Sequence, residues 1–167
     1  LEEIWPLVQD GIEQAIQGLV AMRAVEGNKL SDDLIKRRDK IFHYVAKIEE
    51  RSPLVVLEYQ EKLTQRVQEL LGEIELDHNK LANEVAFFAD KASITEELVR
   101  LKSHLDQMGD ILMNEDAVGR KLDFLVQEMN REINTVGSKA SDLVINRYVV
   151  EVKSELEKVR EQVQNLE

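Results

Sequence analysis

An all-α fold is predicted by three observations. Apolar residues recur at three- and four-residue spacing along nearly the whole chain, and only two prolines and seven glycines interrupt its 167 residues. The C-terminal stretch, in addition, carries a regular heptad seam. The expected architecture is a long antiparallel α-hairpin followed by shorter helices and a long C-terminal helix. Residues 1–75 form the hairpin arm, and residues 76–167 form a helical region where chemistry is sought.

Taken in order, Val8, Ile12, Ile16, Leu19 and Met22 share one helix face, which is expected to end near Glu26-Gly27. Pro6 suits a first-turn position. A second stripe holds Leu30, Leu34, Ile41, Val45 and Ile48, with Ser31-Asp32-Asp33 as acidic material near its start. It should stop by Arg51, because Ser52 precedes Pro53 and is pushed out of the α region. Val56, Tyr59, Leu63, Val67, Leu70 and Ile74 make a third stripe. Two stripes around a proline read as two antiparallel helices.

Beyond Glu75 the segments shorten. Leu81, Val85 and Phe88 predict a brief helix, and Ser93-Ile94-Thr95-Glu96 has the form of a capping box for the next. That next helix turns Leu98, Leu101, Leu105 and Met108 inward. Asn114 to Gly119 reads as a loop or helix break. A helix from about Arg120 to Ile133 buries Leu122, Leu125, Met129 and Ile133, and the small polar run Asn134 to Asp142 reads as a loop. Ile145, Val149, Val152, Leu156, Val159, Val163 and Leu166 then form the seam, which requires a partner helix in this chain or another.

The chain has no cysteine, which removes disulfides, thiolate metal sites and cysteine nucleophiles. Its net charge of −11 argues against a generic nucleic-acid coat. No apolar run approaches about 20 residues and no signal peptide opens the chain, so a cytoplasmic protein without membrane association is expected. The chain starts at Leu1 in a helical pattern, as a piece of something longer would. Residues 73–140 hold more than half of the excess negative charge.

Chemistry is sought there. Glu97, Arg100 and His104 share one helix face opposite the leucine stripe, a mixture that suits a metal or a phosphate as well as an ordinary solvated face. Glu97 and His104 are two turns apart, roughly 10 Å along the axis, so they cannot simply chelate one ion. On the following helix, Asp123, Gln127, Asn130 or Arg131, and Asn134 form a polar stripe, with Glu128 and Glu132 beside it. Asparagine and aspartate are poor helix formers, so this stripe signals either specific ligand binding or an internal polar network. Arg120, Lys121, Arg131 and Lys139 bracket the acidic patch. Carboxylates beside arginines are what a metal-dependent phosphodiesterase needs, and also what surface ion pairs produce. His43 and His78 stand alone, and no phosphate loop, dinucleotide fingerprint or zinc-protease motif occurs.

Four strings carry a resemblance: Met22-Arg-Ala-Val-Glu-Gly-Asn-Lys-Leu30, Asn83-Glu-Val-Ala-Phe-Phe-Ala-Asp-Lys91, Ile94-Thr-Glu-Glu-Leu-Val-Arg-Leu-Lys-Ser-His104, and Gly119-Arg-Lys-Leu-Asp-Phe-Leu-Val-Gln-Glu-Met-Asn-Arg-Glu-Ile-Asn-Thr135. Together they resemble the C-terminal region of the YicC/YloC endoribonuclease family over essentially the whole chain. The family usually has Asp at Ser93, Phe at Met108 and a small residue at Ile133; none of these departures removes a candidate ligand.

The resemblance implies a metal-dependent endoribonuclease that works on RNA as a homo-oligomer, a hexamer, with a divalent cation, manganese or magnesium, and no organic cofactor. It also implies an N-terminal domain absent from this chain. On that basis Glu97, His104, Glu128 and Glu132 are expected to supply metal ligation or acid–base chemistry, and Arg100, Arg120, Arg131 and Lys139 to grip RNA phosphates. The competing readings are a non-catalytic helical oligomerisation module and an adaptor presenting RNA to another nuclease.

Overall fold

The computed structural model describes residues 4–71, 77–114 and 119–164. Five α-helices carry the described chain: α1 (Trp5–Leu71), α2 (His78–Lys91), α3 (Thr95–Asn114), α4 (Gly119–Lys139) and α5 (Leu143–Val163). The all-α expectation holds. The expected break between residues 114 and 119 falls largely on 115–118, and Ile74 and Leu166 of the predicted stripes also lie outside the described residues.

The hairpin is not formed. One helix of 67 residues replaces the predicted arm, with Pro53 inside it. Proline removes the amide that would bond four residues back and crowds the preceding turn, at a cost of roughly 3 kcal/mol. Contacts on both sides of Pro53 offset that cost. Arg51 lays its fork on the Glu58 carboxylate, two turns further along the same helix, with Nη2 2.8 Å from Oε2. The same Nη2 reaches Asp142 Oδ2 at 2.7 Å, so α5 also anchors the clamp. Past the proline, the Tyr59 ring stacks on Phe88 of α2, with centroids 3.7 Å apart. Gly27 does not terminate a helix either, because it lacks the left-handed backbone of a C-cap glycine. Asp33, expected near a helix start, sits mid-helix and pairs with Arg37 at 2.7 Å.

The core is built by the middle of α1 with α3, α4 and α5. Leu34, Ile41, Val45 and Ile48 of α1 are fully buried with Leu101, Leu105 and Met108 of α3, Leu122, Met129 and Ile133 of α4, and Leu156 of α5. Helix α1 touches α3 and α5, and α4 touches the same two, so the four form a square bundle with α1 and α4 on a diagonal. Cross-helix pairs fix the directions. Glu49–Lys102 joins a late part of α1 to the middle of α3, while an added Cβ at Gly109, later in α3, would meet the Arg38 side chain earlier in α1. The two helices are therefore antiparallel. The same logic makes α1 and α5 antiparallel, through Arg51–Asp142 and Arg37–Glu155.

The seam of α5 finds its partners within this chain, with Ile145, Val149, Val152, Leu156, Val159 and Val163 all buried. Asp142 caps the helix by accepting the Ile145 amide at 2.9 Å. The predicted loop 134–142 is mostly helix, since α4 runs on to Lys139. Its hydroxyls bond back into the helix rather than opening a turn: Thr135 Oγ1 donates to the Arg131 carbonyl and Ser138 Oγ to that of Thr135. Gly137 lies where α5 crosses closest; a Cβ there would sit 3.1 Å from Val149 Cγ1. Helix α3 starts at Thr95, and Glu96 turns to Arg100 instead of closing a box with Ser93.

Glu155 is the most buried charge, at 2% exposure. It accepts from Lys40 Nζ at 2.7 Å, Lys158 Nζ at 2.9 Å and Arg37 Nη1 at 3.1 Å. Burial alone would raise its pKa, but the lysine hydrogen bonds outweigh it and bring the group from 4.5 down to about 2.

Two predictions follow from these features. Pro53→Ala restores a helical amide and should stabilise the protein by about 1–3 kcal/mol in chemical denaturation; a turn at this point would instead make the change neutral or harmful. Because the Glu155 pKa is depressed on folding, its contribution is complete above 4.5 and is lost as pH falls toward about 2. That contribution is on the order of 3 kcal/mol, so Glu155→Gln should lower stability at neutral pH and flatten the acid limb of a stability–pH curve.

Candidate functional site

Antiparallel packing of α3 on α4 brings two carboxylates to one guanidinium. Arg100, on the second turn of α3, donates from Nε to Glu132 Oε1 at 2.8 Å and from Nη2 to Glu132 Oε2 at 3.0 Å, a fork-on-fork pair. Its Nη2 also lies 3.5 Å from Glu97 Oε1, and its Nη1 3.4 Å from Glu96 Oε2. Lys139, in the last turn of α4, reaches Glu97 Oε1 at 2.8 Å. Glu97 and Glu132 are buried, at 4% and 6% exposure. Glutamates take these places because residues 97 and 132 flank the apolar stripes of their helices, where a side chain enters the seam while its end meets the neighbouring helix.

Burial raises the Glu97 pKa, yet the Lys139 and Arg100 cations overcome it, and the net shift is downward. Arg100 is shifted upward by Glu132. Both carboxylate and guanidinium are therefore charged at neutral pH. Two buried polar side-chain atoms among the described residues have no hydrogen-bond partner: Glu97 Oε2 and His104 Nδ1. Both belong to α3, seven residues apart and so on one face.

The remaining predicted residues are placed as follows. Glu128 is half-buried, one turn before Glu132 on the same flank of α4. Arg120 lies at the opposite end of α4 from Lys139 and lines a cavity of about 350 Å³ with Gln107, Ile111, Lys121, Phe124 and Leu125. Arg131 lies on the exposed face of α4, in a groove against α5. The structure thus gathers Glu97, Arg100, Glu132 and Lys139, with His104 further along the same α3 face, and sets Arg120 and Arg131 apart. Among the described residues no group of three or more His, Asp or Glu side chains converges as an ion-binding cluster. A complete protein-only metal site does not fit these residues. Sequence reasoning missed Glu155; its place next to Leu156 in the seam is a weak signal, since seam flanks are usually exposed.

A bundle with a charged α3–α4 seam defines a class of helical protein rather than an activity. Comparison with known proteins supplies the family. Residues 48–167 match the family described as "Endoribonuclease YicC-like, C-terminal", and the chain belongs to that family. It is 51% identical over 165 residues to "Probable endoribonuclease YicC" of Clostridioides difficile (strain 630), covering 98% of this chain and 56% of the relative. It is 38% identical over 155 residues to the protein of the same name from Haemophilus influenzae (strain ATCC 51907 / DSM 11121 / KW20 / Rd), covering 93% of this chain and 53% of that one. The chain spans about half the length of these relatives.

The seam can be tested by substitution. Arg100→Met strands the buried Glu132 carboxylate and should lower the melting temperature, by less than breaking a fully buried pair because the guanidinium is half exposed. Glu128→Gln, for whose side chain no hydrogen bond is seen, should leave thermal stability unchanged within about 0.5 kcal/mol.

Proposed function

We propose that this chain carries the RNA-cleaving face of an endoribonuclease, located on the α3–α4 seam. One observation supports this most: the two buried polar atoms left without partners are Glu97 Oε2 and His104 Nδ1, on one helix face. Folded proteins satisfy nearly all such atoms, and an exception calls for an explanation such as a catalytic role or a bound water or ion. The curated relatives, named as endoribonucleases, favour a role in RNA cleavage.

In hydrolysis, water attacks phosphorus, the bond to the leaving oxygen breaks, and that oxygen takes a proton. His104 is suited to deliver that proton, and Glu128 to accept the one from water. Glu97 and Glu132 hold Arg100 and Lys139 so that their exposed sides face the substrate phosphate. A divalent cation is part of this proposal: magnesium and manganese bind through one or two carboxylates together with substrate phosphates, so a full set of protein ligands is not required. Bound there, it would polarise the phosphoryl oxygen and activate water. Action on RNA in the cytoplasm accords with the described residues, among which no helix is long and apolar enough to cross a membrane.

Assembly belongs to the same reading. The first five turns of α1 present Trp5, Val8, Ile12, Ile16, Leu19 and Met22 at 43–65% exposure, a stripe no stable lone helix keeps in water. Gly11 and Gly18 beside it face open space, where a second helix could approach closely. The first part of the stripe carries Asp10 and Glu13, and the later part is net basic with Arg23 and Lys29 around Glu26, so an antiparallel second copy repels less than a parallel one. We assign this stripe to pairing with a second copy, as a step toward the expected hexamer.

Cleavage of a structured RNA by the full-length protein should require manganese or magnesium and stop with chelator. His104→Ala and Glu128→Gln should each reduce it at least 100-fold with the oligomer and melting temperature retained. RNA binding without cleavage in the parent protein would instead identify an adaptor. In this cysteine-free chain, Ala15→Cys should give a disulfide-linked dimer on oxidation, and adding Ile12→Asp should abolish it. A monomeric full-length protein with no such cross-link would refute the pairing.

A further inference from the structure

On the exposed face of α4, a groove of about 620 Å³ runs between α4 and α5. Its walls are Gln127, Asn130, Arg131, Asn134 and Thr135 of α4 with Glu157 and Arg160 of α5. Placing asparagine at two mid-helix positions costs up to about 0.7 kcal/mol each relative to alanine. An internal polar network would account for them, but none is formed here. Gln127 Nε2 donates to Asp123 Oδ2 at 2.7 Å and Thr135 bonds its own helix, while the side chains of Asn130, Arg131, Asn134 and Arg160 have no hydrogen bond or ion pair within the described residues. This contrasts with Arg37, Arg51 and Arg100, which all hold carboxylates.

The chemistry of the walls narrows the ligand. No aromatic or large aliphatic side chain lines the groove, which excludes an apolar small molecule and the apolar centre of a protein interface. Three carboxamides offer paired donors and acceptors, the geometry that matches base edges. Two guanidinium groups suit phosphates, and Glu157 can accept from an exocyclic amine. Base edges are withdrawn in A-form duplex but open in single strands.

We propose that the α4–α5 groove binds single-stranded RNA, with Gln127, Asn130 and Asn134 reading base edges and Arg131 and Arg160 holding the adjoining phosphates. The choice of RNA rests on the endoribonuclease reading; the groove itself does not. Helix α4 sets the groove beside the proposed cleavage site, since Arg131 and Thr135 follow Glu128 by one and two turns of α4.

The test measures binding by the full-length protein, in chelator, to unstructured oligonucleotides of A, C and U and to a perfect RNA duplex, by fluorescence anisotropy. The parent should prefer the single strands and discriminate among them. Arg131→Ala with Arg160→Ala should weaken all single strands about tenfold or more and reduce the salt-dependence slope by about 2. Asn130→Ala with Asn134→Ala should shrink the difference between oligonucleotides while keeping the slope. Neither pair should alter the melting temperature, because neither removes a contact in the protein. Parent-like binding by both double variants overturns the groove while leaving the nuclease reading intact. A parent that neither binds nor cleaves any RNA overturns both.

Discussion

Buried carboxylates between helices are the constraint on which this bundle depends. Glu155 ties α5 to α1, and Glu97 and Glu132 tie α3 to α4, with cations from the neighbouring helix on each. An ionised carboxylate in an apolar seam is costly unless cations and donors surround it, so each fixes the register of its helix pair to within a fraction of a turn. The apolar core supplies the driving force for packing, but leucine, isoleucine and valine stripes tolerate sliding and repacking. A carboxylate with two or three defined partners does not. The register that brings Arg100 onto Glu132 is also what leaves Glu97 Oε2 and His104 Nδ1 buried without partners on one face of α3.

What could be read from the chain follows from how local each signal is. Helical periodicity is local, and every core stripe on α3, α4 and α5 is found in place, down to Met108, Met129 and Val163. Helix ends are less local. Ser52-Pro53 is a sound stop signal, but continuation of α1 is decided by Glu58 seven residues beyond Arg51, by Asp142 on α5 and by Phe88 on α2. Of those partners only Glu58 is visible in a window around the proline. The stretch 134–139 misleads for a related reason: small hydroxylated residues suit a turn, yet Thr135 and Ser138 satisfy the helix's own carbonyls, and Gly137 serves a close crossing with α5.

The site was legible as a neighbourhood and not as a set of partners. Glu97, Arg100 and His104 do share a face, but it adjoins the leucine stripe rather than opposing it, so Glu97 is buried, and Glu132 meets it there. Which cation serves which carboxylate is a property of the packed seam, and spacing along one helix carries no information about it. Arg100 and Lys139, expected to grip phosphate, have part of their donor capacity taken by glutamates. That leaves them as a neutralised, oriented pair rather than a free basic patch. Arg131 neighbours Glu132 in sequence, yet a helical rotation of about 100° per residue turns it out of the α3–α4 seam onto the exposed face that meets α5.

The same separation bears on how a chain of net charge −11 would hold a polyanion. Global charge sets long-range repulsion, which salt screens beyond about 10 Å, whereas affinity is decided by the groups within that distance of the phosphates. In this bundle most interior acids are already matched by cations at 2.7–3.1 Å and present little net field to a ligand. Arginines that remain unmatched, such as Arg131 and Arg160, keep their donors for a phosphate within that distance. Internal pairing of acids with lysine and arginine thus does two jobs. It fixes helix register, and it takes up lysines and arginines, so the remaining surface stays acidic and any contact with RNA falls to the few cations left unpaired.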